Sequence, residues 1–180
     1  EVLWDDFPEG KVLGGAPLNV LVRLRALGAD ASIISRRGDD ADGAELLRQI
    51  EEKNVRSNLL QVDQTQATSL VKVKLDRSGS ASYDIVYPCA WDRIEVEPAA
   101  LARVAESDAF IFGSLSTRDE VSRASLAQLL EQAKFKIFDV NLRPPHYDIE
   151  RILATMRLAD LVKLNDDELH EIASTLGSKY

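Results

Sequence analysis

The stretch Lys136-Ile137-Phe138-Asp139-Val140-Asn141-Leu142-Arg143-Pro144-Pro145 sets an acid, an amide and a guanidinium at alternate positions behind a short apolar run. In an extended chain Asp139, Asn141 and Arg143 point the same way. The two prolines then end the strand, because neither donates a ladder hydrogen bond and Pro145 keeps Pro144 out of the helical region. Three polar groups at the carboxyl end of a buried strand stand where open α/β sheets bind ligands. A polar strand end that caps the next helix accounts for Asp139 or Asn141 alone, and less readily for three such groups on one side.

Asn165-Asp166-Asp167-Glu168 also follows an apolar run, Leu161-Val162-Lys163-Leu164, and opens a helix. Asn165 with Glu168 three residues on is close to a capping box. The same pair at a strand end also suits a carboxylate holding a water of a magnesium ion. Gly14-Gly15 before a helix permits close approach of a ligand to the backbone and presents free N–H groups, although a plain tight turn fits equally. In Gly38-Asp39-Asp40-Ala41-Asp42-Gly43, Asp40 is the expected helix cap; the spacing lacks the later ligands of a calcium loop. His146 and His170 have no cysteine or histidine at ligand spacing, so neither is a metal candidate. Cys89 reads as a small buried hydrophobe.

The elements that must position these residues alternate. Glu1 to Phe7 looks like a strand tail with carboxylates at its exit, and residues 11–13 form a short strand. Apolar positions 17, 20, 21, 24 and 27 recur at helical spacing, and Gly28 supplies the stop. Ala31 to Ser35 and Leu59 to Val62 read as strands, with Leu46, Leu47 and Ile50 on the core face of the helix between them. Ser69 to Leu75 and Ser82 to Val86 form a hairpin across Asp76-Arg77-Ser78-Gly79, because two adjacent strands with no helix between them cannot make a parallel crossover. From Pro98 alternation resumes: a helix with Leu101, Val104 and Ala105 on one face, a strand from Ala109 to Phe112, then a helix with Leu126, Leu129, Leu130 and Ala133 at i, i+3, i+4 and i+7. A helix near 149–158, a strand at 161–164 and a final helix complete the order. A βαβα succession predicts a mostly parallel sheet with helices on both faces, α/β in class, plus a small antiparallel sheet beside it.

The 180 residues suffice for one domain, with 45% hydrophobic and 29% charged residues. A formal charge of −8 argues against a nucleic-acid or anionic-membrane partner, which would require a basic face. No apolar run reaches membrane-spanning length and no signal peptide is visible. A single cysteine excludes an internal disulfide and fits a reducing compartment, so the expected location is cytoplasmic.

Taken together in their order, several segments resemble successive signatures of the PfkB, or ribokinase-like, carbohydrate kinases. They are Gly14-Gly15-Ala16-Pro17-Leu18-Asn19, Gly38-Asp39-Asp40-Ala41-Asp42-Gly43, Ala90-Trp91-Asp92, Phe112-Gly113-Ser114-Leu115, Asp139-Val140-Asn141-Leu142-Arg143-Pro144-Pro145 and Lys163-Leu164-Asn165-Asp166-Asp167-Glu168. The variants look most like bacterial fructokinases. The resemblance implies a ribokinase-like three-layer α/β/α sandwich with a small β lid, its lid strands near 11–13 and 69–92. It also implies ATP-dependent phosphorylation of a sugar hydroxyl, with magnesium.

Carried over by motif, Asp5 matches an acid that hydrogen-bonds sugar hydroxyls. Gly14, Gly15 and Asn19 match the glycine pair and amide that contact the sugar. Arg143 matches a residue beside the transferred phosphate, where a guanidinium offsets developing oxyanion charge. Asn141, Lys163 and Asn165 fall near phosphate, and Asn165 with Glu168 matches an Asn-x-x-Glu motif that supports magnesium through water. Trp4 and Trp91 suit either the flat wall of a sugar site or the core.

The family's Gly-x-Gly-Asp segment, which carries the anion hole and the catalytic base, does not occur in these residues. The resemblance implies that it and the adenine pocket lie beyond Tyr180, so residues 1–180 are expected to be an incomplete kinase, inactive alone. Fructose to fructose 6-phosphate is the expected reaction, with ribokinase or 2-keto-3-deoxygluconate kinase as alternatives. A non-catalytic sugar-binding relative is a second class. A dehydrogenase-type nucleotide domain ranks last, because no Gly-x-Gly-x-x-Gly turn follows the first strand. An uncovered lid edge is a template for a second copy, which would give a homodimer.

Overall fold

The first strand, β1 (Leu3–Phe7), carries Leu3 and Trp4 into the core and leaves Asp5, Asp6 and Phe7 half-buried. It turns back into β2 (Gly10–Gly14), antiparallel, with Asp5 opposite Val12 and Leu3 opposite Gly14. In this computed structural model, which describes residues 1–75 and 81–177, β1 also pairs in parallel with β5 (Ser69–Leu75). β5 in turn pairs antiparallel with β6 (Ala81–Ile85), so the sheet order is β2-β1-β5-β6. The hairpin expected from sequence is therefore present, and its turn at Asp76 to Gly79 lies outside the described residues. It does not stand apart: β1 lies beside β5 as the other inner strand of the same sheet. Residues 86–92, expected within the lid, hold no strand, and Ala90–Arg93 is instead a single 3-10 turn.

Helix α1 (Ala16–Ala26) buries Leu18 and Leu21. Leu27, expected on the apolar face, is 84% exposed because the helix ends one residue earlier. Gly28 then takes φ +85, the left-handed geometry that closes helices at little steric cost. The next strand is displaced from the apolar run at 31–35. Only an isolated bridge links Ser32 to Arg56, and β3 (Ser35–Gly38) pairs in parallel with β4 (Leu60–Asp63) further along. The register with β4, and not local hydrophobicity, sets where β3 begins. Between them α2 (Ala41–Glu52) buries Leu46 and Ile50 completely, with Leu47 half-buried at the margin. Val2, Trp4, Leu18, Leu21, Ile33, Leu46, Ile50 and Val55 form one core.

From Pro98 the expected alternation holds. Helix α3 (Pro98–Glu106), β7 (Phe110–Gly113), α4 (Glu120–Gln132), β8 (Lys136–Asp139), α5 (Ile149–Met156), β9 (Leu161–Lys163) and α6 (Asp166–Thr175) follow in order. The strands make a parallel sheet, β7-β8-β9. Leu126, Leu129, Leu130 and Ala133 are all buried, as their spacing predicts. The stacked rings of Phe110, Phe112 and Phe138, with centroid distances of 5.9 and 5.2 Å, run across β7 and β8. Phe112, Phe138, Val140, Leu142 and Ile152 lie at the heart of this second core. The chain forms two compact units, Glu1–Ile94 and Glu95–Tyr180.

Candidate active site

In the first unit, Gly14 and Gly15 are required by packing within the chain. A Cβ on Gly14 would meet Asp5 Oδ2 at 2.2 Å, so the glycine lets the Asp5 carboxylate lie against the end of β2. Gly15 has φ +109, and a Cβ there would stand 2.6 Å from the Glu1 carbonyl oxygen. The space beside the pair is thus filled by Asp5 and by the Glu1–Val2 backbone that leads into β1. Gly15 precedes α1, and its carbonyl accepts the Asn19 N–H at 2.9 Å. The Asn19 side chain is exposed, one turn into the helix. Trp91 is 0% exposed and Trp4 2%, which favours the core reading of both rings over a wall open to a sugar. Trp4 Nε1 donates to the Asp42 carbonyl at 3.0 Å.

Asp40 caps α2 as its sequence context predicts, accepting the Gly43 N–H at 2.7 Å. Sequence gives no sign of its other partner, Thr68, whose N–H and hydroxyl both donate to Asp40 at 2.8 and 2.7 Å. Thr68 Oγ1 also accepts the Gly38 N–H at 2.9 Å. A Cβ on Gly43 would meet the Gly38 carbonyl at 2.2 Å, which explains why glycines bracket this loop. Burial raises the Asp40 carboxyl, but the bonds from Thr68 and Gly43, with Arg37 nearby, outweigh it and hold it below the ordinary value of 3.8. This stabilisation is fully present above that value and disappears as pH falls through the lowered one. Asp40→Ala is expected to cost about 2 kcal/mol at pH 7, the sum of a lost cap and unpaired Thr68 donors. Urea midpoints at pH 7 and pH 3 check this, and the cost should shrink at pH 3.

In the second unit the opening constellation is rebuilt by its turn. β8 ends at Asp139, and Asn141 adopts φ +42, so Asp139, Asn141 and Arg143 do not lie along one extended strand. Burial still alternates, with Phe138, Val140 and Leu142 buried and the three polar residues half-buried. The turn is anchored repeatedly. Val140 N–H donates to the Lys163 carbonyl at 2.9 Å, and Leu142 N–H to Glu168 Oε1 at 2.9 Å. The Ser114 hydroxyl donates to the Asn141 carbonyl at 3.2 Å. Arg143 donates through its guanidinium to the Leu142 carbonyl at 2.9 Å. Lys163, the register partner of Asp139 on β9, places Nζ 2.9 Å from Asp139 Oδ1. Further along, the Tyr147 hydroxyl donates to Glu171; that bond, then burial, raises the phenol above its usual value.

Asn165 and Glu168 form the complete capping box that sequence suggests. Asn165 Oδ1 accepts the Glu168 N–H and Glu168 Oε2 accepts the Asn165 N–H, each at 2.9 Å. Glu168 is only 5% exposed, and both of its oxygens hold backbone N–H groups. Among the described residues no group of three or more His, Cys, Asp or Glu is arranged to hold a metal. With both oxygens engaged in this way, Glu168 is a positioning group in the structure. Its carboxylate joins the start of α6 to the turn after β8. The structure therefore brings Asn141, Arg143, Lys163, Asn165 and Glu168 together, and separately Asp5, Gly14 and Gly15. Ser114 is the member that sequence reasoning left without a role, although its segment stands among the recognised motifs.

With this geometry in hand, the comparison with solved proteins is direct. The chain matches the crystal structure of fructokinase from Xylella fastidiosa with a TM-score of 0.85 at 25% identity, covering 99% of this chain and 62% of that one. A structure of Xylella fastidiosa fructokinase with bound ATP matches at TM-score 0.82 and 26% identity, over 99% of this chain and 58% of that one. The fold is thus the ribokinase-like α/β architecture of sugar kinases. Residues 9–179 match the pfkB family carbohydrate kinase profile, and the chain belongs to that family. A fructokinase from Klebsiella pneumoniae is 31% identical over 93% of this chain and 58% of its own length. Aminoimidazole riboside kinase from Salmonella typhimurium is 30% identical over 91% of this chain and 54% of its own. The chain spans a little over half the length of these curated relatives. No described helix is long and apolar enough to cross a membrane.

Proposed function

We propose that this protein transfers the γ-phosphoryl group of ATP to a sugar hydroxyl, converting fructose to fructose 6-phosphate. The observation that carries the reading is the Asp139–Arg143 turn. It is anchored to the capped start of α6 at the carboxyl end of a parallel sheet, in a chain matched to a carbohydrate-kinase family over residues 9–179. In this reading Arg143 offsets charge on the phosphoryl group in flight, and Asn141, Lys163 and Asn165 lie near phosphate. Asp5 and Asn19 take sugar hydroxyls, with the Asp5 carboxylate seated against Gly14. Trp91 supports the sugar-binding unit from its core. Proton removal from the sugar falls to the aspartate of the family's Gly-x-Gly-Asp segment, which residues 1–180 do not contain. Magnesium enters complexed to ATP. A single cysteine fits a cytoplasmic setting, and the lid strands offer an edge for a homodimer.

Sugar-dependent release of ADP by the full natural chain tests this, with fructose, ribose, aminoimidazole riboside and 2-keto-3-deoxygluconate compared at equal concentration. Release greatest with fructose is the expected outcome. Greatest release with another of these sugars would move the substrate while keeping the reaction class. Tight sugar binding without ADP release would leave a sugar-binding relative that does not transfer phosphate. The kinship with an aminoimidazole riboside kinase is the specific reason to include a riboside.

A further inference from the structure

Asn141 holds φ +42, a left-handed conformation that asparagine tolerates better than most residues with a side chain but at a greater cost than glycine. Its two neighbours are tied by their N–H groups: Val140 to the Lys163 carbonyl and Leu142 to Glu168, both at 2.9 Å. The carbonyl of Asn141 itself is held from the other side by Ser114 Oγ at 3.2 Å. Ser114 is 2% exposed and directly follows Gly113, the register partner of Asp139 at the end of the β7–β8 ladder. Its own position is secured by Thr117, whose hydroxyl donates to the Ser114 carbonyl at 2.7 Å. The Ser114 hydroxyl thus reaches across the ladder to the left-handed residue of the turn that leads to Arg143.

We infer that Ser114 is a positioning residue: its hydroxyl holds the Asn141 carbonyl and so keeps the turn in the geometry that presents Arg143. The consequence for catalysis rests on the kinase reading; the consequence for the turn does not. Ser114→Ala in the full natural chain should speed amide hydrogen exchange at Val140 and Leu142 by about tenfold, the equivalent of one hydrogen bond, while Phe138 within β8 is unchanged. In an Asn141→Gly background, where the left-handed backbone carries no side-chain strain, the same replacement should change exchange by less than about threefold. Sugar-dependent kcat should fall by about tenfold in Ser114→Ala with the sugar KM within about twofold. Equal acceleration at Phe138, or the same effect with and without Asn141→Gly, would overturn the inference. So would unchanged exchange at Leu142. If the wild-type chain turns over no sugar, the kinase reading fails and the exchange pattern still decides the role of Ser114.

Discussion

Arg143→Ala is expected to lower the sugar-dependent kcat of the full natural chain by about 10²- to 10³-fold while changing the sugar KM little. A donor aimed at charge that develops only in the transition state contributes to kcat more than to binding, and loss of one such donor has this magnitude. In the structure the guanidinium donates to the Leu142 carbonyl at 2.9 Å, next to a turn that is itself tied down at Val140, Asn141 and Leu142, and the proposed role draws on that anchoring. An arginine held in this way loses little freedom when it meets phosphate. Arg143→Lys should recover only part of the rate, because an ammonium cannot reproduce the planar fork that engages two oxygens at once. Steady-state kinetics with ATP and fructose varied in turn would check both variants. A loss confined to KM would reassign Arg143 to ground-state binding.

Glu168→Ala should destabilise the folded chain by about 3 kcal/mol. The carboxylate is 5% exposed and accepts the Leu142 and Asn165 N–H groups, so its removal strands two backbone donors away from water and abolishes half of the capping box. Each unpaired buried donor costs about 1–3 kcal/mol, and a helix cap about 1 kcal/mol, with part recovered by water entering the space. Glu168→Gln is the sharper probe. Its amide oxygen replaces one acceptor, but its NH2 would face the other backbone N–H, so a cost of about 1–2 kcal/mol remains. Urea unfolding followed by circular dichroism measures both. If Glu168→Gln matches the wild type, the clamp between α6 and the turn is weaker than its geometry indicates. The Asn165 cap should be affected with it, since the two side chains satisfy each other's backbone.

Much of this protein is determined by local sequence. Helical spacing places Leu126, Leu129 and Leu130 in the core, and Asp40 and Asn165 cap helices because their side chains reach N–H groups three residues on. The order of motifs identifies the family, since each segment is a short pattern that survives without its neighbours in space. Such relations span only a few residues, so a linear reading captures them.

Tertiary structure decides what depends on pairing across the chain. β1 joins the β5–β6 hairpin because its parallel partner is β5, with Leu3 opposite Ser69 far along the sequence. β3 begins at Ser35 because β4 sets its register. The alternation of Asp139, Asn141 and Arg143 suggests a straight strand, yet the chain turns left-handed at Asn141, where Ser114 holds its carbonyl and Lys163 and Glu168 hold the N–H groups of its neighbours. The capping role of Glu168 is legible in sequence, but only the fold brings its second oxygen to the Leu142 N–H. Residue types determine which polar groups are available to the site. Only long-range packing and hydrogen bonding decide which way they face, because those contacts outweigh the local conformational preference of the residues they constrain.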